Sequence, residues 1–227
     1  MKKIDYSIGY KQMIEKNIQE VRNNIDEKYM KVKITNYCER YDLPYNFVKR
    51  KILTDNIFAI SFSKDPSKQS FHQHYAADFI SSLPNVNNFQ ELPASGVNSL
   101  FVVDGVIVSR ENISNNNETK SIDFYWESTN KNGELVKFYA AHKHTDQDGG
   151  AQDNQYNDLK LFMKHAQKSE YENIYFLAIG DGPYYQRDEK KANKQIIRID
   201  FMNEIFGAKH CKALTSNDIE LFMNEIL

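Results

Sequence analysis

The sequence predicts an α/β (α+β) protein, with a mixed β-sheet flanked by helices behind an N-terminal helical region that has a helix-turn-helix-like spacing. Three observations carry this reading. Apolar residues recur at helical spacing at the front, hairpin-forming strands fill the middle, and helix and strand patterns alternate afterwards. A chain of 227 residues with 41% hydrophobic content can bury one sizeable core plus a small helical appendage. The division is expected near residue 56, with 1–56 helical and 57–227 carrying the sheet.

Within the first 30 residues, Ile14, Ile18, Val21 and Ile25 form one apolar helical stripe. Residues 34–52 follow with small Cys38 where two helices would touch and Tyr41-Asp42-Leu43 as the turn. Pro44 can open the second helix because its missing N–H would be unpaired there. Val48 and Ile52 then face inward, leaving Tyr45, Asn46, Lys49, Arg50 and Lys51 for solvent or DNA. Residues 57–62 alternate as a short strand, broken by Asp65-Pro66-Ser67.

Residues 70–83 read as a helix with Phe71, Tyr75, Phe79 and Ile80 on one face. His72 and His74, two apart on it, cannot point the same way and make poor joint metal ligands. Residues 100–108 form a hairpin in which Asp104-Gly105 suits the positive φ of a two-residue turn, so Asp104 is a turn residue rather than a catalytic acid. Residues 110–119 are a polar loop.

The most informative stretch is 121–157. Side chains alternate along a strand, so Asp123, Tyr125 and Glu127 share one face, as do Ala141 and Lys143 on the next strand, across the turn Asn130-Lys-Asn-Gly133. A carboxylate and a lysine can therefore converge across the ladder. Hard carboxylate oxygens suit Mg²⁺, and a lysine beside them can stabilise an attacking oxygen or charge building on phosphorus. His142 falls on the opposite face and reads as structural, while His144 lies near the strand end.

Gly149-Gly150-Ala151 permits a close backbone approach, and Gln152-Asp153-Asn154-Gln155 then opens a helix. Amide side chains there match the donor and acceptor of adenine in the major groove, against the alternative of a plain polar cap. Leu159, Phe162, Met163 and Ala166 keep helical spacing, with Lys160 and Lys164 as phosphate contacts or solvated charges. Residues 173–180 are a buried strand running into Gly-Asp-Gly-Pro, and 186–194 are charged and exposed. A short helix at 201–206 ends at Gly207, 210–214 make a last strand, and Ser216 caps a final helix to 227.

Asp123, Lys143 and the intervening hairpin resemble the PD-(D/E)xK nuclease superfamily, most closely its type II restriction endonucleases, over residues 70–214. The resemblance implies Mg²⁺-dependent hydrolysis of double-stranded DNA, with Asp123 binding metal and Lys143 assisting the attacking water. It also implies a homodimer, since a palindromic duplex presents two equivalent phosphates to a two-fold axis. Two departures stand out: Ile122 replaces a frequent proline, and Ala141 occupies the position of the second metal-binding acid. That acid could come from Asp158 or Asp153 on the following helix or from Glu127, the alanine could be a substitution that disarms the enzyme, or the chain could be a noncatalytic descendant. Gln152 and Tyr156 also match a Gln-x-x-x-Tyr of recombination-type nucleases. The function expected is sequence-specific DNA cleavage, at an A·T-rich palindrome if the amides at Gln152, Asn154 and Gln155 read bases. A noncatalytic helix-turn-helix regulator and a repair or recombination nuclease are the alternatives.

Charge agrees with a selective DNA partner. A net charge of −2 argues against a nonspecific polyanion binder. Yet residues 1–52 hold twelve Lys/Arg against seven Asp/Glu, leaving the negative excess to the body. Cys38 and Cys211, far apart, suggest reduced thiols, and the N-terminus has no apolar signal core, so a cytoplasmic protein with no membrane partner is expected. The acceptor patterns at Asn112 and Asn117 carry no weight without secretion.

Overall fold

Asp5 accepts the Ser7 N–H at 2.9 Å and starts the first helix, α1 (Tyr6–Asn23), because its carboxylate satisfies one of the donors that a helix N-terminus leaves unpaired. From there the computed structural model describes residues 3–113, 119–146, 150–189 and 195–227, without the side chains of 150–152. The described chain divides into two compact units, one of residues 5–75 and one of 76–227 with the terminal residues 3–4.

The first unit is helical. α1 is followed by α2 (Lys28–Tyr41), α3 (Tyr45–Thr54) and α4 (Asn56–Ile60). Ile18, Val21 and Ile25 are buried together with Met30, Ile34, Val48 and Ile52, and half-buried Ile14 packs on them, as the apolar spacing predicts. Asp42 takes the left-handed conformation that ends α2, and Pro44 precedes α3, where its missing N–H costs nothing. Cys38 packs half-buried against this core.

Residues 57–62 are not a strand. Asp55 accepts the Phe58 N–H at 3.1 Å and opens α4, whose Ala59, with Phe62 after it, packs into the helical core at a spacing of three, while Ile57 is 81% exposed. Alternation over six residues left both periods open, and the cap with the helical core below it selects the helix. Buried Asn17 then donates to Lys64 O and Gln69 Oε1, pinning the following 3₁₀ turn Pro66–Gln69. These contacts draw 57–75 into the helical unit, so its border lies at 75 rather than 56.

Helix α5 (Phe71–Ser81) runs across that border into the second unit. Among the described residues its sheet has five strands: β1 (Asn87–Glu91), β4 (Phe124–Thr129), β5 (Leu135–His144), β6 (Ile174–Asp181) and β7 (Cys211–Leu214), in the order β1-β4-β5-β6-β7. The first two pairings are antiparallel and the last two parallel, giving the mixed sheet expected. Helix α6 (Gly150–Ala166) connects β5 to β6, and α7 (Arg198–Phe206) connects β6 to β7, since parallel neighbours need a crossover. β1 had no alternating signal: it is a polar edge strand, with a register irregularity between Asn87 and Gln90.

The small hairpin β2 (Leu100–Val103) and β3 (Val106–Ser109) forms apart from the sheet. Asp104 and Gly105, with φ of 47° and 86°, make its turn as read. The Ile122 N–H donates to Leu100 O and the Thr119 hydroxyl to Val102 O, so the segment entering β4 runs along this hairpin.

One face of the sheet carries Phe124, Trp126, Phe138 and Ala140; the other carries Ala141 beneath α6, packed with Tyr156, Leu159, Phe162 and Met163. Gln186, Arg187 and Asp188 are exposed as expected and Glu189 is buried, while 190–194 lie outside the described residues. Arg198, also buried, stacks 3.8 Å over the Tyr184 ring and donates to Tyr184 O. The final helix α8 (Ile219–Ile226) is preceded by a capping box made by Thr215 and Asp218, not by Ser216. Ser216 is buried and donates its hydroxyl and N–H to Asp181 instead. Both cysteines are free, and burial pushes the Cys211 thiol up to about 12. Among the described residues no helix is long and apolar enough to cross a membrane.

Candidate active site

The carboxyl ends of β5 and β6 lie side by side, with Lys143 paired to Gly180 and His144 to Asp181. This is where open α/β sheets leave room for a ligand, because the crossover helices begin there. Gly182 makes the return possible. It has a φ of 93°, and a Cβ there would lie 2.4 Å from Thr145 O.

Asp123 sits one step before the last β4–β5 pair, Phe124 opposite Ala140, which places it across from Ala141. Its N–H donates to Ala140 O and its Oδ2 accepts the His142 N–H, both at 2.8 Å. The backbone of β5 thus fixes the carboxylate. Asp123 is only 4% exposed, and burial raises its carboxyl above the ordinary range, opposed by that N–H and by the charges of Lys120 and Lys143. A buried carboxylate whose charge is incompletely compensated is suited to a cation.

Asp158 comes from the third turn of α6. Its Oδ2 lies 3.4 Å from Lys143 Nζ and 3.9 Å from Lys120 Nζ. Burial, and after it the Lys143 charge, push the Lys120 ammonium below the ordinary lysine range, while Asp123 and Asp158 pull it back. Two carboxylates and two lysines therefore form one electrostatic group. Hard oxygen donors of this kind fit Mg²⁺ or Mn²⁺ rather than a soft metal.

The other expected residues divide clearly. Ala141 faces the α6 side and is fully buried, offering no ligand. Glu127 is four residues along β4 from Asp123, roughly 13 Å away at strand rise, and its carboxylate accepts from the Tyr125 hydroxyl and from Asn88 Nδ2. It is not brought to Lys143. Asp153 accepts the Tyr184 hydroxyl at 2.5 Å, which ties the first turn of α6 to the loop after β6. Of the helix-tip amides, Asn154 is exposed and Gln155 accepts the Thr145 hydroxyl at 2.8 Å. The Gln152 side chain and residues 147–149 lie outside the described residues.

Behind the site, His142 Nε2 is 3.1 Å from Asp181 Oδ2, inside the sheet on the face opposite Lys143. This matches its structural reading. Lys120 carried no signal in the sequence: an odd spacing from Asp123 assigns it to the opposite strand face, but the backbone between them is irregular and held by the β2–β3 hairpin.

In the helical unit, Asn46 and Arg50 are exposed on α3, Tyr45 is half-buried against the core, and Lys49 Nζ pairs with Asp26 at 2.5 Å. A phosphate at Lys49 would compete with that carboxylate. No family model, curated protein or solved structure matches the chain.

Proposed function

We propose that the chain is a Mg²⁺-dependent nuclease acting on double-stranded DNA, of the PD-(D/E)xK kind its sequence resembles, and that it cuts at a specific sequence as type II restriction endonucleases do. The observation carrying this reading is the Asp158 carboxylate 3.4 Å from Lys143, which supplies from α6 the acid that β5 lacks at Ala141. Asp123, Asp158 and Lys143 then make a complete set in which every member comes from this chain.

Asp123 and Asp158 would hold the cation. Bound there, Mg²⁺ supplies Lewis-acid polarisation of the phosphoryl oxygen. Lys143, beside Asp158, would orient the attacking water and stabilise the negative charge on its oxygen once the water has released a proton to solvent. The His142 N–H keeps Asp123 aimed, so less reorganisation is needed when charge develops. Exposed Asn154 on α6 and exposed Asn46 and Arg50 on α3 are the groups available to read or grip DNA, and a two-fold pair of copies would cut both strands of a palindrome.

Incubation of plasmid DNA with Mg²⁺ tests this. The chain is expected to give discrete fragments, and Asp123→Asn and Asp158→Asn to lose on the order of 10²-fold or more in rate. Cutting at ends or junctions without fixed fragments assigns a repair or recombination role. Binding without cutting by any variant leaves a helix-turn-helix regulator.

A further inference from the structure

We propose that Lys120 is a second cation of this site and that, with Lys143, it grips the non-bridging oxygens of the phosphodiester to be cut. The proposal rests on the nuclease reading of the same group of side chains. Lys120 lies in the irregular segment that enters β4, and its side chain is 21% exposed, beside 22% for Lys143. Both side chains are mostly covered, and they come to Asp158 from two different elements.

Asp158 contacts both without saturating either. Its oxygen is 3.9 and 3.4 Å from the two nitrogens, beyond the roughly 2.7–2.9 Å of a close charge-assisted hydrogen bond. Each ammonium carries three donors, so capacity for an anion's oxygens remains on both. Two ammonium groups held within 4 Å of one carboxylate oxygen repel each other, at a cost in folding free energy. Such a cost is expected at a functional site.

Charge counting points the same way. The two carboxylates and two lysines cancel, and a divalent cation adds two positive charges. A phosphodiester enters with one negative charge, and the total reaches two once the attacking water has released a proton to solvent and its oxygen bonds to phosphorus. With Lys143 alone the site would match the bound diester. With Lys120 present it matches the transition state, where stabilisation accelerates the reaction.

Titration calorimetry of thymidine 3′,5′-bisphosphate in Mg²⁺ tests the proposal, using the unaltered chain, Lys120→Met, which keeps the covered stem, and Lys120→Arg, which keeps the charge. Lys120→Met is expected to weaken nucleotide binding about tenfold and Lys120→Arg less than about threefold. Binding of Mn²⁺ alone, read by electron paramagnetic resonance, should be unchanged or tighter in Lys120→Met, since a repelling charge is gone. Nucleotide affinity equal to the unaltered chain in Lys120→Met, or no nucleotide binding by the unaltered chain, overturns the proposal. If Lys120→Met does not fold, unaltered affinity in a folded Lys120→Gln overturns it equally. Plasmid cleavage separates the two claims: nucleotide binding through Lys120 with no cutting sinks the nuclease reading alone. Cutting with a Lys120→Met variant that binds and cuts normally sinks the grip alone.

Discussion

Asp158 on α6 lies 3.4 Å from Lys143 on β5, so the acid paired with the strand lysine comes from the helix that crosses over the sheet. The reason is visible in α6. Leu159, Phe162, Met163 and Ala166 bury one face against the sheet, and Asp158 is on the shoulder beside Leu159, with its side chain 41% exposed. Burying the stripe carries Asp158 to the end of β5, and Ala141 leaves space for the helix to sit close.

Ala141→Glu is therefore expected to damage the protein rather than arm it. Ala141 is fully buried among Tyr156, Leu159 and Phe162. Overfilling such a position costs about 1–3 kcal/mol, and the buried charge adds to that. A lower thermal midpoint and no gain in plasmid cleavage are predicted. A marked rise in cleavage would assign the missing acid to β5 and remove Asp158 from the metal site.

Asp123→Asn should change stability in a pH-dependent way. The folded-state carboxyl is raised by burial, so above the ordinary aspartate range the folded chain holds more of this proton than the unfolded chain. The contribution is present below the unfolded value and is lost as pH rises through the folded one. Asparagine does not titrate, and its oxygen can still accept the His142 N–H. The stability of Asp123→Asn relative to the unaltered chain should thus grow with pH, reaching on the order of 2–4 °C in melting temperature for each kcal/mol gained. Saturating Mg²⁺ should reverse the order, because only the unaltered chain gains about 2.7 kcal/mol at a hundred times the Kd. Urea midpoints across pH, with and without metal, check both signs.

Glu127→Gln should leave Mg²⁺ affinity and cleavage within about twofold, because its carboxylate is engaged with Tyr125 and Asn88 away from Lys143. Calorimetry of metal binding decides this. A tenfold loss of affinity would show Glu127 to be a ligand.

Arg50→Ala should weaken DNA binding similarly on all sequences and reduce the salt slope by about one. Arg50 is exposed on α3, whereas Lys49 is held by Asp26. Lys49→Ala is accordingly expected to cost less. Fluorescence anisotropy over a salt series measures both, and an Arg50→Ala slope equal to that of the unaltered chain removes α3 from the DNA-facing surface.

Much of the scaffold was legible because its periodicity was reinforced by local chemistry. The β4–β5 hairpin alternates over long strands, the α6 stripe of Leu159, Phe162, Met163 and Ala166 repeats for about two turns, and Asp104-Gly105 specifies its turn. Short elements escaped. Residues 57–62 fit two periods until the Asp55 cap and the buried Ala59 and Phe62 selected a helix, and β1 has only Phe89 as an apolar marker on a polar edge. Ser216 looked like a cap because it precedes Asn217 and Asp218, yet Thr215 makes the capping box and Ser216 turns inward to buried Asp181.

The sequence by itself determined which residues share a strand face, and hence that Asp123 and Lys143 belong together, because alternation along a strand is fixed by backbone geometry. Only the tertiary structure brings Asp158 and Lys120 beside Lys143. Asp158 and Lys120 reach the site through the packing of α6 on the sheet and the irregular path held by the β2–β3 hairpin. Contacts between elements far apart in sequence depend on how buried faces meet, and no local spacing encodes that.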